Sequence, residues 1–113
     1  MTTIDTVKAY FNAVQTNDLA ELGVLVAADV VWHQPGDNRF SGTHIGAAKV
    51  FAMIGDMMKV SDGTFKIDQV NDVMANGTHV AATINFSAQR ADHAMALKGV
   101  DVFSVSNGQI TEV

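Results

Sequence analysis

The apolar residues of this chain change their repeat once, near Asp62-Gly63, and that change restricts the fold more than any other feature. Before it, apolar side chains recur at the three- and four-residue spacing of helices; after it, they alternate with the period of two that belongs to strands. Ile4, Val7, Tyr10, Phe11 and Val14 fall on one helical stripe. With Thr3 as N-cap and Asp5 in the first turn, they predict a first helix running to about Thr16. Asn17-Asp18 interrupts the pattern, and Leu19, Leu22, Leu25 and Val26 predict a second short helix ending near Ala28. Val30, Val31 and Trp32 favour a strand, Pro35-Gly36 a turn, and Gly36 to Gly42 the longest polar loop. A third helix is predicted from Gly46 onward, because Val50, Met53, Ile54, Met57 and Met58 share one helical face.

Past the change, Phe65, Ile67, Val70 and Val73 lead to Asn76-Gly77, a hairpin turn. Val80, Ala82, Ile84, Phe86 and Ala88 form the next run, which turns at Ala91-Asp92-His93 into Met95, Leu97, Gly99, Asp101, Phe103 and Val105. Asn107-Gly108 turns the chain again into Gln109 to Val113. Helices first and long strands afterwards predict an α+β fold, with three N-terminal helices on one face of a strongly curved antiparallel sheet. A chain of 113 residues, 48% hydrophobic, has material for one domain with one core.

The net charge of −5 and the lack of any basic cluster argue against nucleic acid as a partner. There are no cysteines, which removes disulfides, thiolate metal sites and a cysteine nucleophile. Met1-Thr2-Thr3-Ile4-Asp5 resembles no secretion signal, and no apolar run approaches membrane-spanning length, so a cytoplasmic protein without a membrane partner is expected. His33, His44, His79 and His93 are scattered without metal-ligand spacing. Gly42-Thr43-His44-Ile45-Gly46 lacks the Gly-Lys-Ser/Thr element of a phosphate loop, and no serine nucleophile elbow occurs. Neither a metal nor another cofactor is expected.

Asp101 is the strongest candidate for chemistry, since it shares its strand face with Met95, Leu97, Phe103 and Val105. A carboxyl on such a face either finds a partner, titrates with a raised pKa, or sits on a face that is wet after all. Tyr10, the one tyrosine, lies on the buried stripe of the first helix, where its hydroxyl needs a partner or reaches the surface. Val31-Trp32-His33-Gln34 ends the first strand with an indole, an imidazole and an amide. Met53 and Met57 either line a pocket with Phe86 and Phe103 or fill gaps in a small core.

Three segments carry a family resemblance: the first helix with Asn17-Asp18-Leu19, the Trp32-His33-Gln34-Pro35-Gly36 strand end with Ser41-Gly42-Thr43, and Gly99 through Gly108-Gln109-Ile110-Thr111-Glu112-Val113. Together they resemble the SnoaL-like and ketosteroid-isomerase-like proteins of the nuclear transport factor 2-like superfamily over nearly the whole chain. The resemblance implies a single cone-shaped domain over residues 1–113 with an internal pocket. It also implies an apolar small-molecule ligand, with Asp101 and Tyr10 donating hydrogen bonds to a substrate oxygen. Members usually continue beyond this point with an aromatic and an acidic residue, so the last strand reads as truncated. The family's aspartate base falls on His33 when the chain is aligned on Ser41-Gly42-Thr43 and on Gln34 when aligned on the proline. Strand neighbours point to opposite faces, so only one of the two enters the pocket. The first alignment puts His33 beside Asp101 as a base for isomerase or cyclase chemistry. The second leaves Trp32 and Gln34 as ligand contacts, which suits a non-catalytic binding or dimerisation module. Epoxide hydrolysis is disfavoured for want of an Asp-Arg-Asp array. Val100 and Val102, with Ala81, leave an apolar stripe on the other sheet face, which predicts a homodimer.

Overall fold

Helix α1 (Thr3–Thr16) starts where Thr2 can cap it. The Thr2 hydroxyl accepts the Asp5 N–H, and the Asp5 carboxylate accepts the Thr2 N–H, a reciprocal capping box one residue ahead of the expected Thr3. The computed structural model describes residues 2–113. Asn17, at φ 56°, closes α1 in the left-handed conformation, its N–H reaching the Ala13 and Val14 carbonyls. Asp18 then caps α2 (Leu19–Leu25) by accepting the Glu21 N–H.

Strand β1 (Val26–Gln34) follows without a loop, so the second helix ends at Leu25 rather than near Ala28. The reason is tertiary: Val26 pairs with Ile110, and both Val26 and Ala27 are buried, which draws this backbone into the sheet against the helical pattern of its side chains. Strand β2 (Gly42–Ile45) was hidden in the sequence because it is short, exposed at most positions and lies at the sheet edge. Gly46 links it to helix α3 (Ala47–Val60) at φ 95°, with its N–H donated to the Val30 carbonyl at 2.8 Å.

The remaining strands are β3 (Lys66–Asn76), β4 (His79–Arg90), β5 (His93–Ser106) and β6 (Gln109–Glu112). The sheet order is β2-β1-β6-β5-β4-β3. Neighbours run antiparallel except β1 and β6, which are parallel, so the sheet is mixed and the antiparallel expectation is corrected. The last strand inserts between the first and the fifth, a long-range pairing that alternation within each run does not encode. Register shifts on β3, between Ile67 and Gln69 and between Val70 and Asp72, explain why Ile67, Val70 and Val73 all pack on the core at a spacing of three. Such bulges also bend the sheet.

All three helices lie on one face. Helix α1 crosses β3, β4 and β5, α2 packs on β1 and β6, and α3 covers β1 and β2. Phe11, Phe103, Leu25, Ile110, Val7, Val30, Val50 and Val80 are completely enclosed between these layers. Phe103 meets the Phe11 ring at 5.6 Å and 89°, and the Tyr10 ring at 5.6 Å and 63°, both edge-to-face. Among the described residues, no helix is long and apolar enough to cross a membrane.

Phe103→Ala should lower the unfolding free energy by roughly 3–5 kcal/mol in urea titration, as expected for an aromatic deleted from a closed core. Leu97→Ala, at a position 52% exposed, should cost less than ~1 kcal/mol. Equal losses in the two variants would contradict this placement of the core.

Candidate functional site

On β5, the residue two positions before Phe103 on the same face is Asp101. The edge-to-face contact of Phe103 with Tyr10 holds the phenol on the side of the sheet that Asp101 faces, close enough for the Asp101 charge to act on it. Burial raises both pKa values, and for Tyr10 the negative charge of ionised Asp101 adds to the effect. No hydrogen bond joins either group to another among the described residues, yet no side-chain oxygen is both fully shielded and unpartnered. The two oxygens therefore open onto a space that water-sized molecules can enter. A phenol hydroxyl and a carboxyl whose pKa burial raises, both on the inner side of the sheet, can each donate a hydrogen bond to a carbonyl oxygen or oxyanion when the carboxyl holds its proton.

The wall around this pair is aromatic. The Trp32 ring stands 6.5 Å from Tyr10, and its indole N–H donates to Gln34 Oε1 at 3.2 Å, so Trp32 and Gln34 share the inner face of β1. Gly42 pairs with Gln34 across the strands and leaves that side chain room. Farther along β5, Gly99 lies under Phe86: a Cβ there would come within 3.1 Å of the Phe86 ring. Phe86 also packs on Phe65 at 6.0 Å. Of the other residues expected to line a pocket, Phe103 is wholly enclosed, Met53 is 5% exposed, and Met57 on α3 is half-buried.

His33 is not part of this arrangement. It follows Trp32 on β1 and points to the outer face, where its side chain is 54% exposed. There its Nε2 meets Glu112 Oε2 at 2.7 Å, and Nδ1 lies 3.5 Å from Thr43 Oγ1. The expectation that His33 points inward to the face that carries Tyr10 is thus corrected, and the proline-anchored alignment, with Gln34 on the inner face beside Trp32, matches the register. Glu112, the acidic partner, comes from β6, whose approach to β1 could not be read from local pattern.

One inward side chain went unassigned in the sequence. The pairing of Trp32 with His44 places the His44 imidazole, half-buried, on the same inner face. The signal was the alternation Gly42-Thr43-His44-Ile45 after a polar loop, legible only once Thr43 is known to face His33.

The outer face carries a groove of about 370 Å³ whose lining includes His33, His79, Val100, Asp101, Val102 and Glu112. Val100 and Val102 are more than half exposed there. Ile45 and Met74, paired with Val31 and Ala81, extend the apolar surface to either side.

Comparison with known proteins gives four points of reference. A family model described as a SnoaL-like domain matches residues 7–113. An uncharacterized protein of Mycobacterium tuberculosis is 32% identical over 111 residues, covering 97% of this chain and 84% of the relative. A crystal structure of a Xanthomonas campestris protein of unknown function with a cystatin-like fold superposes at TM-score 0.95 with 48% identity, covering 99% of this chain and 87% of that one. TerC, crystallised with polyporic acid, shares the fold at TM-score 0.85 with 18% identity, covering 97% of this chain and 86% of its own.

The raised pKa of Asp101 gives a signed pH dependence. Below its ordinary value of 3.8 the carboxyl is protonated in both folded and unfolded chains. As pH rises, the unfolded chain loses the proton first, so stability falls until the folded pKa is passed. Asp101→Asn removes that loss and should melt roughly 2–5 °C above the parent at about pH 8, with the gap closing near pH 3. A variant that melts lower at pH 8 would mean that the carboxylate is stabilised in place.

Proposed function

We propose that this chain, which belongs to the SnoaL-like family, is a small-molecule-binding protein whose ligand is an apolar compound carrying a carbonyl oxygen. The observation that carries the reading is the pair of Tyr10, buried on α1, and Asp101, half-buried on β5, close enough for the carboxylate charge to raise the phenol's pKa and without a hydrogen-bond partner among the described residues. Groups so placed stay desolvated at a cost unless a ligand satisfies them, and their common chemistry is hydrogen-bond donation to oxygen. Trp32 and Phe86 add apolar wall, Phe103 fixes the Tyr10 ring from behind, and Gln34 gives an amide at the rim. Met53 and Met57 supply the helical side. The crystallisation of TerC with polyporic acid supports small-molecule binding in this fold.

Binding is preferred to proton-transfer catalysis of the isomerase or cyclase kind. The base such chemistry requires was expected at His33, and that imidazole is engaged with Glu112 on the far side of the sheet.

Trp32, the chain's one tryptophan, reports on the site. Its fluorescence should be quenched saturably by α-tetralone, a bicyclic aryl ketone. Tyr10→Phe and Asp101→Ala should each weaken that binding about tenfold, the size of one lost hydrogen bond to a buried oxygen. Saturable binding with unchanged affinity in both variants would remove the pair from the site.

The outer face supports a homodimer. Ile45, Val100, Val102 and Met74 form a solvent-facing apolar surface on one side of the sheet, and the His33–Glu112 pair at its edge offers both hydrogen-bond senses to a second copy. Sedimentation at micromolar concentration should give a dimer, and Val102→Glu should convert it to a monomer that keeps the parent's helix content. A parent chain that sediments as a monomer contradicts this.

A further inference from the structure

We infer that His44 is a second polar anchor of the inner site and selects ligands that carry a hydroxyl at the end opposite their carbonyl. The inference rests on the reading of Tyr10 and Asp101 as the carbonyl-binding end. It starts from a hydrogen bond: His44 Nε2 lies 2.7 Å from the backbone carbonyl oxygen of Phe40. A carbonyl only accepts, so Nε2 carries a proton, and whenever the ring holds one proton Nδ1 is the acceptor. The loop residue Phe40 thus fixes the tautomer and orients the ring.

Nδ1 has no donor within hydrogen-bond distance among the described residues, and no side-chain nitrogen is both sealed off and unpartnered. An oriented acceptor therefore remains open on the inner face. Its place follows from the sheet: His44 stands across from Trp32, and Trp32 stands 6.5 Å from Tyr10, which borders Asp101. Along the inner face the order is two donors, a flat indole, then one acceptor. A ligand complementary to that series is flat and bicyclic or larger, accepts hydrogen bonds at one end and donates one at the other. Hydroxylated aromatic ketones and hydroxyquinones have this chemistry.

The site as a whole and the anchor are separated by comparing two probes, α-tetralone and the tetralone that bears a hydroxyl on the ring position farthest from the ketone. Through Trp32 quenching, the parent chain should bind the hydroxylated compound about tenfold more tightly. His44→Phe should abolish that preference, bringing the two affinities to a common value, and His44→Gln, whose amide oxygen can accept, should restore part of it. Tyr10→Phe should weaken both compounds alike. A preference that survives His44→Phe overturns the role of His44 and leaves the carbonyl site standing; failure of both probes to bind overturns the carbonyl site and the anchor together. Long-range proton–nitrogen NMR of the unsubstituted chain gives a reading independent of variant folding. The His44 ring should show a protonated Nε2 and an unprotonated Nδ1 whose signal moves with the hydroxylated probe only. A protonated Nδ1 in the free chain overturns the anchor.

Discussion

The arrangement depends on one contact, the closure of the Phe103 ring between Tyr10 and Phe11. Phe103 sits on β5 and its two partners on α1, so this contact sets how far along the sheet the first helix lies. One turn of sliding would move the Tyr10 hydroxyl by about 5.4 Å, beyond hydrogen-bond reach of anything Asp101 also touches. The same enclosure that makes Phe103 valuable for stability therefore holds the polar pair in register. The proposed binding chemistry and the core packing would both depend on the same three rings.

Much of this could be read from the sequence, because two of the decisive facts are parities. Asp101 and Phe103 share a face by the period of two, and Tyr10 lies with Val7 and Phe11 by the period of 3.6; both placements hold in the structure. The three helices and the hairpin turns followed from the same reasoning. What stayed hidden depends on pairing between distant strands. The parallel approach of β6 to β1, the partner of His33 and the inward aim of His44 all require knowing which residues lie across from each other, and each strand's own pattern is silent about that. At Leu25 the competing principle is burial, which ends the second helix early by drawing Val26 and Ala27 into the sheet.

Strand β1 also divides the molecule's work by alternation. Trp32 and Gln34 serve the inner face, while Val31 and His33 belong to the outer one, so a shift of one residue in the register of β1 would exchange the side chains of the proposed site for those of the exposed face. The Gly42 and Gly46 conformations at the two ends of β2 fix the β1–β2 pairing, and both lie at positive φ, where a side chain would be strained.

The four-residue strand β6 has a consequence for how the chain reaches this state. It fills the gap between β1 and β5, and the His33–Glu112 contact it makes spans 79 positions of sequence. Until β6 is available, β1 lacks its inner neighbour and exposes a row of unpaired amides and carbonyls. During synthesis the helices and the β3–β4–β5 meander can form as they emerge, but the seam that joins the two halves of the sheet must wait. A nascent chain therefore carries an open strand edge from the emergence of β1 until β6 follows it, the condition under which covering by a chaperone or pairing with a neighbouring chain competes with correct closure.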